Sequence, residues 1–222
     1  SKGVTTREIA DLIEKMYGGY YSPAMVSNIS KEMIPKVEAY HQRHLSDKFF
    51  CVYLDATYIP LKRVTYEREA VYIAIGIKPN GHKEVIDYCI APTENIEIWS
   101  EMLKGFKSRG LEQVELFLSD GVVGMKEAIC QSYPKAHFQR CLVHVMRNIS
   151  AKMRVDDRQK ALDEFKQIHT QSNKEMAVQV LHEFYQNWEK AYKNVVRDLR
   201  QVEPDLLTFY NYPPAIRASI YS

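Results

Sequence analysis

Two aspartates stand where apolar, strand-like runs end. Asp55 follows Phe49-Phe50-Cys51-Val52-Tyr53-Leu54; Asp120 follows Val114-Glu115-Leu116-Phe117-Leu118-Ser119 and precedes Gly121. Strand ends in α/β sheets are where ligands and catalytic groups collect. Two carboxylates on adjacent strands make a hard, all-oxygen site suited to Mg²⁺. Paired divalent ions run in-line phosphoryl transfer by activating the nucleophile and stabilising the leaving oxygen. The plainer reading makes each aspartate a turn cap, a common role for Asp before Gly.

Cys141-Leu142-Val143-His144 is the next feature with chemical content. A zinc site would have to recruit His137 or Cys130, and the spacing matches no paired-ligand pattern, so no zinc is expected. The alternative for Cys141 and His144 is core packing. Their surroundings are basic: Lys135, Arg140, Arg147, Lys152 and Arg154 give five positive charges and no acid across residues 135–155. Beside an acidic metal pocket such a run suits a nucleic-acid backbone, because phosphate contacts dominate affinity. Equally, it suits a solvated helix face.

These residues need elements to hold them, and the texture of the chain changes three times. Residues 1–46 read as helices. Thr5-x-x-Glu8 is a capping box, and Ile9, Leu12, Ile13 and Met16 follow at helical spacing up to Gly18-Gly19. Ser22-Pro23 opens a second helix with Val26 and Ile29 on its apolar side. Ser30 caps a third helix with Met33, Ile34 and Val37, with Pro35 near its start or kinking it. Two short helices about a glycine turn suggest a helix-turn-helix. Its second helix would offer Ser22, Ala24, Ser27, Asn28 and Lys31 to a major groove. The same pattern fits a helical cap on the main domain, and six basic against five acidic side chains do not decide.

Residues 47–141 read as a mixed sheet. Strands are expected at 49–54, 70–77 and 84–90, the last two joined by the Pro79-Asn80-Gly81 turn. A helix follows with Ile96, Trp99, Met102, Leu103 and Phe106 on one face and Gly110 at its end. A strand at 114–119, a helix over 122–133 and a short strand at 136–140 complete the order β-β-β-α-β-α-β. That order is the one of a ribonuclease-H-like fold, in which the first and fourth strands are neighbours and would bring Asp55 and Asp120 together. Residues 142–211 are almost wholly helical, and Pro204 and Pro213-Pro214 punctuate the end.

Composition sets the frame. The chain has 222 residues, 45% hydrophobic and 26% charged, an ordinary balance for one large or two small soluble domains. No run of 18 apolar residues predicts a membrane helix. Four cysteines without a CxxC fit a reducing, cytoplasmic compartment. A net charge of +2 is too mild to imply nucleic-acid binding, so any DNA contact must come from local patches.

The stretches TTREIADLIEKMYGGYYSPAMVSNIS, VYLDATYIPLKR, VYIAIGIKPNGHKEVIDY, LSDGVVGMKEAI, RCLVHVMRNI and YPPAIRASIYS together resemble bacterial insertion-sequence transposases of the Mutator type. These are DDE transposases with a ribonuclease-H-like core. The resemblance runs in family order over nearly the whole chain. It implies that Asp55 and Asp120 are the first two catalytic acids and hold Mg²⁺ or Mn²⁺. It implies that Cys141 and His144 form the family's Cys-x-x-His signature near the DNA strand. Residues 1–46 match part of the DNA-binding region, and 142–211 match the all-helical insertion between the second and third acids. In this reading Lys126, Arg140, His144, Arg147 and Lys152 hold DNA, with Ser22, Ser27 and Lys31 on the N-terminal segment. The partners are double-stranded transposon ends and target DNA, bound by a homodimer at the bacterial nucleoid. The family's third acid lies in a Thr-Asn-x-x-Glu stretch after Ile-Tyr-Ser, and no internal Glu has that context. The chain is therefore expected to hold one ion without cutting. The alternatives are a DNA-binding, dimerising fragment and another ribonuclease-H-like nuclease, such as a junction resolvase.

Overall fold

The structure is a computed structural model that describes residues 6–18, 20–62 and 66–221. The elements in chain order begin with helices α1 (Thr6–Tyr17) and α2 (Pro23–Gln42) and strands β1 (Lys48–Lys62), β2 (Tyr66–Ile77) and β3 (Lys83–Ala91). Then come α3 (Ile96–Ser108), β4 (Gln113–Ser119), α4 (Met125–Ser132) and β5 (His137–Arg140). The helices α5 (Leu142–Lys152), α6 (Val155–Lys166), α7 (Lys174–Trp188), α8 (Lys193–Leu206) and α9 (Pro214–Arg217) complete the chain. The five strands form one mixed sheet in the order β3-β2-β1-β4-β5. β1–β2 and β2–β3 are antiparallel; β1–β4 and β4–β5 are parallel, as crossovers through α3 and α4 require.

The sheet carries a core on each face. One joins Phe49, Val52, Leu54 and Phe117 to Trp99, Leu103 and Phe106 of α3 and Ile129 of α4. Trp99, Met102, Leu103 and Phe106 recur at helical spacing and are all buried, as the sequence pattern predicts. The other joins Cys51, Leu116 and Leu118 to α5, α6, α7 and α8. The helices after residue 142 thus share their core with the sheet.

Three local expectations change. Asp55 does not end a strand: β1 runs on to Lys62, pairing with β2 throughout. What ends beside Asp55 is the parallel pairing with β4, whose last register pair is Leu54 with Ser119. The expected third N-terminal helix is absent, because α2 is continuous through Ser30 and Pro35. The Ser30 hydroxyl donates back to the Val26 carbonyl at 2.9 Å instead of capping a new helix. The helix after Asp120 starts at Met125, not at 122. Gly121 and Gly124 both take left-handed backbone (φ 79° and 85°), so residues 121–124 form a loop.

α1 and α2 present Leu12, Met16, Met25, Ile29, Met33 and Ile34 as exposed apolar side chains, while Val26 alone in α2 is buried. Ser22 serves as the N-cap of α2, accepting from the Met25 amide at 3.2 Å. The capping box expected at Thr5 and Glu8 lies outside the described residues. The end of α2 docks on the edge strand β3. Arg43 donates to Glu84 (3.2 Å) and to the Val85 carbonyl (2.6 Å). Asp87 bridges His41 (2.6 Å) and Arg109 (2.7 Å).

Candidate active site

Register decides what meets at the sheet's edge. Leu54 lies opposite Ser119 in the parallel β1–β4 pair, so the next residues on each chain, Asp55 and Asp120, are neighbours. Adjacent strands lie about 4.8 Å apart. Side chains alternate, and Cys51, Leu116 and Leu118 face the helical layer. Asp55 and Asp120 continue that parity. Both therefore sit on the face covered by α5, and His144 of that helix reaches Asp55 with Nε2 at 3.7 Å from Oδ1.

The two carboxylates differ in setting. Asp55 is 57% exposed. Asp120 is half-buried, and burial pushes its carboxyl above the usual 3.8, with the Asp55 charge adding to the rise; His144, the Val122 amide and Arg140 oppose it. His144 is partly buried and its Nδ1 has no hydrogen-bond partner.

A third carboxylate that the sequence pattern did not single out belongs to this edge. Glu94 lies in the turn between β3 and α3. Its amide donates to the Tyr58 hydroxyl at 3.1 Å, and the neighbouring Asn95 amide donates to the Tyr72 hydroxyl at 2.6 Å. Tyr58 is on the Asp55 strand and Tyr72 on β2, so two tyrosines strap the turn beside Asp55. Burial raises the Glu94 carboxyl first; repulsion from Asp120 and then from Asp55 adds to it, against the nearby Trp99 indole. Its Oε1 is buried without a hydrogen-bond partner. Its only sequence cue is its place beside Asn95, the N-cap of α3.

The donor set of Asp55 and Asp120 is all oxygen, and the exposure of Asp55 leaves room for water ligands. That fits one hard divalent cation, which needs only one or two carboxylates. Among the described residues, no three His, Cys, Asp or Glu side chains are grouped to hold a metal.

The remaining candidates scatter. Cys141 is buried (6% exposed) in the core under α5, with its thiol pushed up by burial, so it offers no surface to a strand. Arg140 folds back on the Asp120-Gly121 turn, donating to the Asp120 and Gly121 carbonyls at 3.2 and 3.0 Å. Lys126 pairs with Asp205 (2.6 Å) and Lys152 with Asp198 (2.9 Å) across a cleft of about 640 Å³ beside Gly121. Arg147 is exposed on α5. Lys135 precedes β5 and so lies at the opposite edge of the sheet from Asp120. The basic run 135–155 is therefore not one stripe. Ser22, Ser27 and Lys31 lie on or at the start of α2, away from both aspartates in the chain. Among the described residues, no helix is long and apolar enough to cross a membrane.

Comparison with known proteins gives a consistent result. The family model described as "Transposase, Mutator family" matches residues 1–222. The transposase for insertion sequence element IS1201 of Lactobacillus helveticus is 77% identical over 222 residues, covering 100% of this chain and 60% of that protein. The transposase for insertion sequence element IS905 of Lactococcus lactis subsp. lactis (strain IL1403) is 46% identical over 220 residues, covering 99% of this chain and 56% of that protein. The chain thus spans well under two thirds of the length of these curated relatives. Among solved structures, the Drosophila P element transposase strand transfer complex matches 66% of this chain and 43% of its own, at 11% identity and a TM-score of 0.32.

Proposed function

The chain belongs to the Mutator family of transposases, and from that premise we propose that it forms the ribonuclease-H-like core of a DDE transposase acting on DNA. The whole protein would nick the ends of its insertion sequence and join the freed 3′ ends to target DNA, working as a homodimer in the bacterial cytoplasm. The observation that carries this reading is the β1–β4 register, which sets Asp55 beside Asp120 on one face.

Asp55 and Asp120 would hold Mg²⁺ or Mn²⁺ through their carboxylates. A divalent ion there supplies an activated water or 3′ oxygen and offsets charge on the leaving oxygen. The chain's own residues do the rest. Asp120, half-buried, provides a fixed oxygen ligand, while solvent-facing Asp55 leaves the approach to phosphate open. His144, 3.7 Å from Asp55 and close enough to act on the Asp120 charge, would stand at the approach of the phosphate. Arg147 on α5, and Lys126 and Lys152 across the cleft, would meet the DNA backbone. Ser22, Ser27 and Lys31 of the N-terminal helices would contact a second stretch of duplex.

The proposal for residues 1–222 is divalent-metal binding by Asp55 and Asp120 together with DNA binding. Iron-mediated hydroxyl-radical cleavage tests it with the terminal duplex of the encoding insertion sequence bound. Fe²⁺ in place of Mg²⁺ should cut the polypeptide near residues 54–56 and 119–121 and the duplex near its end, and Asp55→Asn should abolish both. Cuts that ignore Asp55→Asn would contradict the site.

A further inference from the structure

We propose that Arg140 is a positioning residue for Asp120: its guanidinium holds the Asp120-Gly121 turn in place instead of binding a DNA phosphate. The inference rests on the reading of Asp120 as a metal ligand, and it assigns Arg140 a different task from the other basic residues of the run.

Its geometry is specific. β5 ends at Arg140, next to β4 in a parallel pair whose last register is Ser119 with Arg140. The side chain crosses over the end of β4. Its Nη1 donates to the carbonyls of both Asp120 and Gly121. A Cβ placed on Gly121 would sit 2.1 Å from the Arg140 Cζ, so the guanidinium lies directly on the glycine backbone. Gly121 also has φ +79°, which L side chains rarely adopt. The turn and the arginine therefore specify one another: only glycine leaves room for the guanidinium.

Two further contacts make this a fixed arrangement. The Gly121 amide donates to the Ser119 hydroxyl at 3.0 Å, and the Cys141 amide donates to the Ser119 carbonyl at 2.7 Å. Behind Arg140, the Gln139 side chain is fully buried and donates to the Arg140 carbonyl at 2.7 Å and the Leu206 carbonyl at 3.0 Å. The arginine is thus anchored through its backbone while its head holds the turn. Burial lowers the Arg140 guanidinium from its usual range, and the charges of Asp205 and Asp120 oppose that fall. Both bonds come from Nη1, and the flat guanidinium lies over the glycine with Cζ, Nη1 and Nη2 all within 2.5 Å of where a Cβ would stand; a lysine ammonium, a single point charge, does not reproduce that flat contact. Removing a group that orients a metal ligand typically costs 10- to 100-fold in metal affinity.

The test compares Arg140→Lys, Arg140→Ala and Gly121→Ala in the 222-residue chain, with Asp120→Asn as control. Mn²⁺ affinity is read by electron paramagnetic resonance, and backbone exchange of residues 119–123 by hydrogen–deuterium mass spectrometry. Each of the three variants should weaken Mn²⁺ binding about tenfold or more and speed exchange in that segment. Lysine should not rescue, and Gly121→Ala should match the arginine variants because its Cβ displaces the guanidinium. If Arg140→Lys binds Mn²⁺ and protects the turn like the wild type, charge alone suffices and the proposal is overturned. If the wild type has no Asp120-dependent Mn²⁺ site, the metal reading fails. Exchange then still decides the bracing, and unchanged exchange in all three variants overturns it.

Discussion

At Asp120, binding capacity and stability oppose one another. Its carboxyl titrates above the usual 3.8, chiefly because it is half-buried. The folded state therefore holds a proton more tightly than the unfolded chain does. Stability falls as pH rises from the ordinary carboxylate value through the raised one, and the cost persists at neutral pH. Asp120→Asn should accordingly raise the melting temperature at pH 7 while losing divalent-metal binding. At pH 3, below both values, the two melting temperatures should converge. Calorimetry at the two pH values checks this, and a destabilised Asp120→Asn at pH 7 would contradict it. Asp55 and Asp120 were legible in the sequence because each follows an apolar run and strand alternation is strict. Glu94 was not. It reaches the site through a turn strapped by Tyr58 and Tyr72, two side chains 36 and 22 residues away in the sequence, and no local pattern encodes that approach.

At the scale of elements, the structure divides a basic run that looked uniform. Lys135 falls at the far edge of the sheet, Arg140 turns inward, and Lys152 is already paired with Asp198. Only tertiary structure could sort these, because β5 ends in the middle of the run. Arg147, exposed on α5, is the residue of the run best placed for the proposed phosphate contact. Arg147→Ala should reduce the salt slope of DNA binding by about one. Lys152→Ala should reduce it by less, because Asp198 competes with phosphate for the same ammonium. Fluorescence anisotropy across a salt series reads both slopes. Equal slopes for Arg147→Ala and the wild type would remove α5 from the DNA path. The strand order and the α3 face were also legible, since buried strands and an i, i+3, i+4, i+7 stripe are local signals. The unbroken α2 was not: Pro35 and Ser30 read as breakers, yet Ser30 satisfies the Val26 carbonyl from within the helix.

For the whole molecule, the helices after residue 142 are tied to the sheet by more than apolar contact. The buried Gln139 donates to Leu206 and Arg140 and accepts from the Phe209 amide at 2.8 Å. Gln139→Leu keeps volume but strands these backbone groups, each unmet group costing roughly 1–3 kcal/mol. With three groups unmet, a loss of about 3 kcal/mol or more in urea unfolding is expected on that basis. A neutral result would mean that α8 and the following turn are held by apolar packing alone. Residues 219–221 also return to the sheet: the Leu142 amide donates to the Tyr221 carbonyl at 2.8 Å, and the Tyr53 hydroxyl donates to the Ser219 carbonyl. That closure joins residues 166 positions apart, which periodicity cannot reveal.

Titration calorimetry with Mn²⁺ on the wild type, Asp55→Asn and Asp120→Asn reads the proposed divalent-metal site of Asp55 and Asp120 without any DNA present. One ion should bind per wild-type chain, and each single variant should lose that binding with the fold intact by circular dichroism. Binding that survives in either variant, or no binding by the wild type, would contradict that site.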